Sequence, residues 1–350
     1  MNPIVPRPSP LATDSDEPEV SCELPLISVV IATRDRPDSL AICLDTVLAQ
    51  DYPNFDVIVV DNAPATNATA DLLRARYSQV PYLRENRPGL AAAHNCGLAA
   101  VTAPLVAFTD DDVRVDPNWL AAIARAFALA STVACVTGLI MPQALDTPAQ
   151  RWLEAYGGFS KGSTRRLFDL ADYRPADPLF PYTAGRFGSG ANMAFKTAIL
   201  RSLGGFDPAL GAGTLAMGGD DLAAFFEMVA AGYTLVYEPA AIVYHRHRSD
   251  YADLQRQIYG YGVGLSAFLT HCLLARPGRL LDVARKTPRG LVYLFSTRSP
   301  KNTRKAADYP AELTRLERRG FVAGPLAYLR SRRQVGRSAP GLPIMEPTAP

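Results

Sequence analysis

Ala-Phe-Thr-Asp-Asp-Asp-Val-Arg-Val-Asp, residues 107–116, joins an apolar run to three consecutive carboxylates. The apolar run, residues 104–108, predicts a strand, and the sudden change to Asp110, Asp111 and Asp112 predicts that this strand ends at a site. Three adjacent negative charges repel one another, and a bound cation relieves that repulsion. Carboxylate oxygens suit Mg²⁺ or Mn²⁺, usually shared with the phosphates of a substrate. Taken alone, the stretch leaves the alternative of a solvated acidic turn open.

Two earlier apolar runs also end in aspartate. Residues 26–31 and 55–60 predict buried strands, and residues of helical periodicity separate them. Such strand–helix–strand alternation predicts a mostly parallel sheet covered by helices. Ligands of these sheets bind beyond the carboxyl ends of the strands. One site is therefore expected to bring Asp35, Asp61 and Asp110 together.

The first strand-to-helix turn, Thr33-Arg34-Asp35-Arg36, contains no glycine. Dinucleotide-binding folds and P-loop proteins carry Gly-rich turns at this point, so both classes are disfavoured. A sugar nucleotidyltransferase would also be expected to carry a Gly-rich turn with a basic residue. This turn supplies the arginine but not the glycines.

A second pair of carboxylates, Asp220 and Asp221, follows the Gly-rich residues 211–219 and begins an apolar helical pattern. Glycines make such a segment conformationally permissive. One carboxylate is enough to cap a helix and complement its dipole. The second is therefore available for another task.

The last strand-like run of this region, residues 236–244, ends at two histidines, His245 and His247. For each of them a structural role and a metal-ligand role stay open. Before this run, residues 142–185 are Pro-rich and irregular. A connection of this length inside a compact domain is usually functional.

Charge is unevenly distributed along the chain. Residues 251–350 hold 17 Lys and Arg against 6 Asp and Glu, a net charge of +11, so the first 250 residues carry −9 of the total +2. This asymmetry predicts an acidic catalytic part and a basic region that meets an anionic surface.

The cysteines and the apolar runs indicate the compartment. Five scattered cysteines without a Cys-x-x-Cys pattern argue against a disulfide framework or a zinc site, and fit a reducing cytoplasm. The chain does not open with a basic segment and an apolar core, so no signal peptide is expected. The longest weakly interrupted apolar run, residues 262–275, is too short to span a bilayer as an ordinary helix.

Four segments are expected along the chain. They are a disordered tail at 1–24, an α/β catalytic domain at 25–250, a basic helical region at 251–337 and a second disordered tail at 338–350. The helical region has an apolar stripe flanked by Arg and Lys. Two interpretations stay open: the helices lie on an anionic membrane surface, or they pack on the domain as a soluble subdomain. Nucleic acid is not expected as a partner, because aromatic residues are not interleaved in a recognised module.

Together these features resemble the inverting family-two glycosyltransferases, which have the GT-A fold. The order and spacing of seven short segments carry the resemblance: 28–36, 59–62, 87–95, 108–112, 190–195, 204–207 and 218–221. It implies an α/β GT-A fold with a mostly parallel central sheet, flanking helices and a C-terminal helical region. It also implies a hexosyltransferase-type enzyme that uses Mg²⁺ or Mn²⁺. The enzyme would move a sugar from a nucleotide-diphosphate sugar to a saccharide or lipid-linked acceptor, in polysaccharide or glycolipid synthesis.

The resemblance also implies roles for matching positions. The donor nucleotide and its ribose would be contacted by Thr33, Arg34, Asp35, Asp61, Asp110 and Asp111. The cation would be held by Asp112, Asp110 and His245. The general base would be Asp221. The sugar and the acceptor would be lined by Asn192, Gly219 and Asp220.

The sequence departs from the commoner family pattern in three places. Asp35 replaces a frequent Asn, and Asp220 replaces a longer Glu. His94 stands where Arg is usual, which makes a phosphate contact there weaker or absent. Two alternatives stay open: a sugar nucleotidyltransferase, and a non-catalytic, membrane-bound protein that binds sugar nucleotides. The expected location is the cytoplasm, with the inner face of the cell membrane as a candidate site of peripheral attachment.

Overall fold

The structure is a computed structural model that describes residues 24–156, 158–299, 301–303, 305, 308–336 and 344–345, the last two by their backbone. The tail predicted at 1–24 therefore lies outside the described residues except for Leu24. The tail predicted at 338–350 lies outside them except for residues 344–345, which form a short strand.

Within the described residues, one mixed sheet of ten strands forms the centre of the protein. The strands are β1 (Ile27–Thr33), β2 (Phe55–Asn62), β3 (Tyr82–Glu85), β4 (Leu105–Asp110), β5 (Val113–Val115), β6 (Val133–Pro142), β7 (Arg166–Phe168), β8 (Asn192–Lys196), β9 (Thr234–His245) and β10 (Ile344–Met345). Their order is β10-β3-β2-β1-β4-β8-β6-β9-β5, and β7 pairs with β9.

Helices cover both faces of the sheet and continue beyond it. They are α1 (Pro37–Val47), α2 (Ala68–Arg76), α3 (Leu90–Ala100), α4 (Trp119–Phe127), α5 (Pro148–Tyr156), α6 (Thr197–Ser202), α7 (Asp220–Ala230), α8 (Tyr251–Ala275), α9 (Leu280–Phe295) and α10 (Ala311–Val335). Short 3₁₀ turns occur at Ala184–Arg186 and Pro277–Arg279.

The predicted parallel pairing is confirmed for the first half of the sheet, where β1 lies between β2 and β4. Beyond β4 the sheet becomes mixed, because β8 inserts antiparallel between β4 and β6. Strand β8 was not predicted. Its run of five residues follows two glycines and precedes a helix directly, so it lacks the long apolar stretch that marked the others.

The core is divided by the sheet into two layers. Alternate residues of β1 point to opposite faces, as the pleat requires. Val29 and Ile31 pack with the apolar side chains of α1 and α4, including Trp119. Val30 packs on the other face, with α3, α7 and a cluster of phenylalanines that includes Phe108. With both faces covered, binding is left to the ends of the strands.

Helices α8 and α10 pack tightly on each other through small residues. A Cβ atom added at Gly262, Gly320 or Gly324 would overlap atoms of the facing helix. Within the described residues, α8 is the one helix long and apolar enough to cross a membrane, and half of its apolar window is buried against the protein. The apolar segment is thus longer than the sequence suggested, but its burial equally fits a packed soluble helix.

A polar cluster ties these helices to α7. His271 of α8 lies with Nδ1 2.7 Å from Asp207 Oδ2, and the Tyr328 hydroxyl of α10 donates to the same oxygen at 2.7 Å. Arg276 binds Glu227 of α7 at 2.6 Å. Burial by itself would lower the pKa of His271, but the carboxylates of Asp207 and Glu227 raise it to about 9. The cluster therefore fixes α7, whose first residues carry the second pair of carboxylates.

Candidate active site

The strand register brings the predicted strand-end residues to one edge of the sheet. Thr33 pairs with Asp61 across β1 and β2, and Ala32 pairs with Asp110 across β1 and β4. The carboxyl ends of β1, β2 and β4 therefore lie side by side at this edge.

Asp111 points into the protein rather than into the site. Its side chain is fully buried, Oδ2 accepts a hydrogen bond from the Thr33 hydroxyl at 2.6 Å, and Oδ1 lies 2.7 Å from Arg36 Nη2. Burial raises the pKa of Asp111 to about 6, against the opposing effects of Arg36 and Thr33. Asp111 and the Thr33 side chain thus hold the turn after β1 in place, which differs from the donor contacts expected of them.

Arg36 contacts two of the three carboxylates, a role that the sequence did not predict. Its Nη1 donates to Asp112 Oδ2 at 2.9 Å while Nη2 contacts Asp111. One guanidinium therefore orients two of the three carboxylates and leaves the other oxygen of Asp112, Oδ1, for a different partner. A signal for this role was present in the sequence, since Arg36 is a basic residue in a turn expected to lie beside the aspartates.

Asp110, Asp112 and His245 form a candidate cation site. Each offers one ligand atom, and these atoms lie within 4.8 Å of one another. Asp112 Oδ1 is buried, accepts no hydrogen bond from the described residues and lies 3.4 Å from His245 Nε2. Two carboxylates, one with an orphaned oxygen, and an imidazole fit a divalent cation.

The electrostatics of this cluster agree with the fit. Burial, then the charges of Asp112 and Asp111, hold the pKa of Asp110 well above its usual range. Burial lowers the pKa of His245 to about 4, so the imidazole is neutral near pH 7. Strand register brings His245 to the cluster. Strands β5 and β9 pair His245 with Val113, the residue that directly follows Asp112.

The structure separates the two histidines that the sequence left open. His245 faces the carboxylates, whereas His247 lies behind it, with Nδ1 3.1 Å from His245 Nδ1. His247 Nε2 lies 3.0 Å from Glu154 Oε2 of α5. His245 is therefore the histidine placed to bind a cation.

The residues expected to meet the nucleotide lie at the rim and the floor of the same edge. Arg34 and Asp35 are exposed, and Asp35 Oδ1 accepts a hydrogen bond from Ala65 N at 2.9 Å. Asp61 is buried, and Tyr82 donates to its Oδ2 at 3.2 Å. Burial raises the pKa of Asp61 to about 6 despite that hydrogen bond.

Asp221 is held at the start of α7 by backbone amides. Its Oδ2 accepts from Gly190 N at 2.9 Å, and its Oδ1 accepts from Leu222 N at 2.8 Å. The neighbouring Ala191 O accepts from the Thr109 hydroxyl at 2.8 Å, which joins this loop to the end of β4. Burial raises the pKa of Asp221, and the amide bonds work against that rise.

Gly219 precedes this pair in a conformation that favours glycine. Its φ is 89°, and a Cβ there would lie 2.6 Å from Gly264 O of α8. The C-terminal helices therefore press directly on the loop that carries the carboxylates, and a side chain at position 219 would push them apart.

Asp220 and His94 lie on the inner side of the site. Asp220 is buried, with Oδ2 3.8 Å from His94 Nδ1, and burial followed by the charge of Asp221 raises its pKa to about 7. His94 packs between the rings of Phe108 and Phe206, at centroid distances of 5.0 and 4.9 Å. Burial lowers its pKa to about 3, so it is neutral.

Asn192 does not line the site. It is 1% exposed, and its Oδ1 accepts from Trp119 Nε1 at 2.8 Å. Its Nδ2 donates to Leu139 O at 3.0 Å and to Ala241 O at 2.8 Å. The amide is consumed in joining strands within the sheet, which corrects the expected sugar- or acceptor-lining role.

Tyr261 of α8 was missed by the sequence analysis. Burial raises the pKa of its hydroxyl, and the charges of Asp221 and Asp110 raise it further. Gln257 Nε2 donates to that hydroxyl at 2.7 Å. The sequence held no signal for this residue, because it lies on a helix outside the recognised motifs.

A cavity of about 1070 Å³ lies beside this edge, between α1, β5 and residues 143–150. Asp112 and His247 contribute to its wall, but Asp61, Asp110 and Asp221 do not. The cavity therefore lies next to the candidate site, on the side of Asp112 and His247, and the candidate site is not inside the cavity.

Comparisons with known proteins agree with this architecture. Pre-mycofactocin glycosyltransferase from Mycobacterium tuberculosis is 25% identical over 237 residues, which are 67% of this chain and 46% of that protein. Validoxylamine A glucosyltransferase from Streptomyces hygroscopicus subsp. jinggangensis is 32% identical over 117 residues, which are 32% of this chain and 28% of that protein. The chain thus spans about half or less of the length of these relatives.

Among solved structures, the mannosyltransferase PcManGT from Pyrobaculum calidifontis, in complex with GDP-Man and Mn²⁺, superposes with a TM-score of 0.50 at 19% identity. The match covers 90% of this chain and 75% of that one, and it confirms the GT-A fold. The family model of glycosyl transferase family 2 matches residues 28–204, about half of the chain. The chain is accordingly a member of glycosyl transferase family 2.

Proposed function

We propose that the protein is a metal-dependent inverting glycosyltransferase, which moves a hexose from a nucleotide-diphosphate sugar to a hydroxyl acceptor. One observation carries this proposal: a carboxylate–carboxylate–imidazole cluster and a separate carboxylate, Asp221, belong to the same edge of the sheet. The names of the relatives support it, since they are glycosyltransferases.

The proposed mechanism assigns different tasks to the carboxylates. A cation held by Asp110, Asp112 and His245 would neutralise the charge that develops on the departing diphosphate. Asp221 accepts the proton of the acceptor hydroxyl as that oxygen attacks the anomeric carbon. Attack from the face opposite the leaving group inverts the anomeric configuration.

The donor is proposed to lie along the carboxyl ends of β1 and β2. In this proposal Arg34, Asp35 and Asp61 contact its base and ribose, while Asp111 and Thr33 keep the turn fixed. His94 is neutral and enclosed by aromatic rings, so it gives no charge to a phosphate. Gly219 and Asp220 shape the acceptor side, Gly219 by its backbone and Asp220 from the interior.

The imidazole in the ligand set bears on the choice of cation. Mg²⁺ strongly prefers an octahedron of oxygen ligands, whereas imidazole is a common ligand of transition metals. We propose Mn²⁺ as the better fit, with Mg²⁺ as the alternative.

Donor binding is expected to require the cation. In a thermal-shift screen of UDP- and GDP-sugars, the matching donor should raise the melting temperature with Mn²⁺ present but much less with EDTA. Transfer to an acceptor should stop in EDTA and return with added Mn²⁺ or Mg²⁺. Undiminished turnover in the chelator would contradict the proposal. Release of pyrophosphate from a nucleoside triphosphate and a sugar 1-phosphate would indicate a nucleotidyltransferase, and binding without transfer or donor hydrolysis would indicate a non-catalytic protein.

We propose that residues 25–250 form the transferase domain and that residues 251–337 attach it to the inner face of the cell membrane. None of the residues of α9 is buried, and Leu281 and Val292 are 69% and 62% exposed. Arg285 and Arg289 are also exposed on this helix. An apolar helical face beside cationic side chains is complementary to an anionic lipid surface.

This attachment fits the other features of the chain. A reducing cytoplasm suits the four cysteines of the described part, which are buried and form no disulfide with one another. A membrane location would give access to a lipid-linked acceptor, or to a growing saccharide at the cell surface. Polysaccharide or glycolipid synthesis is the proposed pathway.

Charge substitution on α9 is expected to release the protein from vesicles. The double variant Leu281→Glu/Val292→Glu should lose flotation with vesicles that contain phosphatidylglycerol, because two carboxylates oppose both apolar burial and the surface potential. Leu129→Glu, at a 44% exposed leucine of the transferase domain, is the matched control. Equal flotation of all three proteins, or equal binding to uncharged vesicles, would rule out this surface.

A further inference from the structure

A chain of three side chains leads away from the cation cluster. His245 Nδ1 lies 3.1 Å from His247 Nδ1, and His247 Nε2 lies 3.0 Å from Glu154 Oε2. His247 is only 3% exposed, and Gln150 of α5 also donates to its backbone oxygen at 3.3 Å. The ring of Phe159 packs on both imidazoles, with centroid distances of 4.9 and 5.6 Å. The rings are therefore held in one arrangement by α5 and the turn after it.

The direction of the hydrogen bonds in this chain follows from its last member. A carboxylate oxygen accepts hydrogen bonds, so when the His247 ring carries a single proton, Glu154 draws that proton to Nε2, 3.0 Å away. His247 Nδ1 is then a lone pair, and it can only accept from Nδ1–H of His245. His245 in turn has its lone pair on Nε2, the nitrogen that faces Asp112.

We propose that Glu154 and His247 are positioning residues that keep His245 in the tautomer able to bind a cation. This inference rests on the proposed cation site and assigns the residues behind it. Metal-bound histidines commonly donate their other ring N–H to a group that fixes tautomer and orientation. Here that group is a second histidine, which transmits the preference of a carboxylate from a different helix.

The alternative tautomer shows why such control matters. With its proton on Nε2, His245 could donate to Asp112 Oδ1, which is 3.4 Å away. That arrangement would remove the lone pair of His245 and engage the orphaned oxygen of Asp112 at once. Two ligand atoms would be lost for one proton. Glu154, at the far end of this row of three hydrogen-bonded side chains, opposes that outcome.

Calorimetric titration with MnCl₂ tests the proposal on the full chain without a sugar nucleotide. Glu154→Ala and His247→Ala should weaken Mn²⁺ binding roughly 10–100-fold, the usual effect of losing an outer partner. Glu154→Gln keeps an accepting oxygen and should lose less. Arg151→Ala, on the same helix, is the control and should bind as the wild type does. Wild-type affinity in both alanine variants would overturn the proposal.

A second measurement reads the tautomers directly. In metal-free protein labelled with ¹⁵N-histidine, two-bond ¹H–¹⁵N spectra should show His245 protonated on Nδ1 and His247 on Nε2. The chain has only four histidines, so single substitutions assign the signals. In Glu154→Ala, His245 should move toward the Nε2–H form, and an unchanged tautomer would overturn the inference.

These two experiments separate this inference from the proposed function. If wild-type protein binds no Mn²⁺, the cation site is wrong, whereas the metal-free spectra still test the tautomer chain. If the wild type binds Mn²⁺ and Asp112→Asn does not, the cation site stands. The alanine variants then decide on Glu154 and His247 alone.

Discussion

Asp221→Asn is expected to lower kcat by roughly 10²–10⁴-fold, the range attributed to a positioned general base. Asparagine keeps the size of the side chain and one accepting oxygen, which serves one of the two amides, Gly190 or Leu222, that now bond to different oxygens. It cannot take the proton of the acceptor hydroxyl. The Kd of the donor should change little, because Asp221 is proposed to act on the acceptor.

Steady-state kinetics and calorimetry with the donor separate these two effects. Asp71→Asn, the same change at an exposed aspartate of α2 that pairs with Arg74, is the matched control and should retain most of kcat. Similar melting temperatures would show that both variants fold. A fall in donor affinity as large as the fall in kcat would assign Asp221 to donor binding, and retained turnover would remove it from catalysis.

Asp112→Asn is expected to lose both cation affinity and turnover. The amide keeps the shape of the carboxylate, but it places one neutral oxygen where two charged oxygens face Arg36 and His245. A bound cation supplies several kcal/mol of charge stabilisation in such reactions, so loss of the ligand should cost about 10³-fold in turnover.

Titration with Mn²⁺ and a transfer assay at raised Mn²⁺ concentration check this expectation. The control is Asp116→Asn, four residues along the same segment. The Asp116 side chain accepts a hydrogen bond from Asn118 N and does not belong to the cluster. High Mn²⁺ should recover part of the turnover if affinity alone is reduced. Unchanged Mn²⁺ binding in Asp112→Asn would show that the cation lies elsewhere.

The parallel strands β1, β2 and β4 and the location of the candidate site could be predicted because their signals are local. Buried parallel strands such as β1, β2 and β4 are continuous apolar runs, and the polar residues that follow them must lie at one edge of the sheet. Asp61, Asp110 and Asp112 were recognisable for this reason. The second pair of carboxylates, Asp220 and Asp221, was recognisable because one carboxylate is enough to cap a helix and the other is left for a different task.

The roles of adjacent residues could not be read in this way. Asp110, Asp111 and Asp112 are equivalent as a sequence, yet Thr33 and Arg36 take Asp111 into the interior and leave an oxygen of Asp112 free. Asn192 followed a family pattern, but its partners, Trp119, Leu139 and Ala241, come from three other segments. Each outcome depended on contacts between residues far apart in the chain.

By itself, the sequence determined the α/β architecture, the edge of the sheet proposed to bind ligands and the kinds of side chain available there. The tertiary structure decided which side chains face that edge. It placed His245 toward the carboxylates, put His247 and Glu154 behind it, and pressed α8 on the loop of Gly219. The physical reason is that apolar patterns act through neighbours in sequence, whereas hydrogen bonds and ion pairs depend on strand register and helix packing, which the whole chain sets.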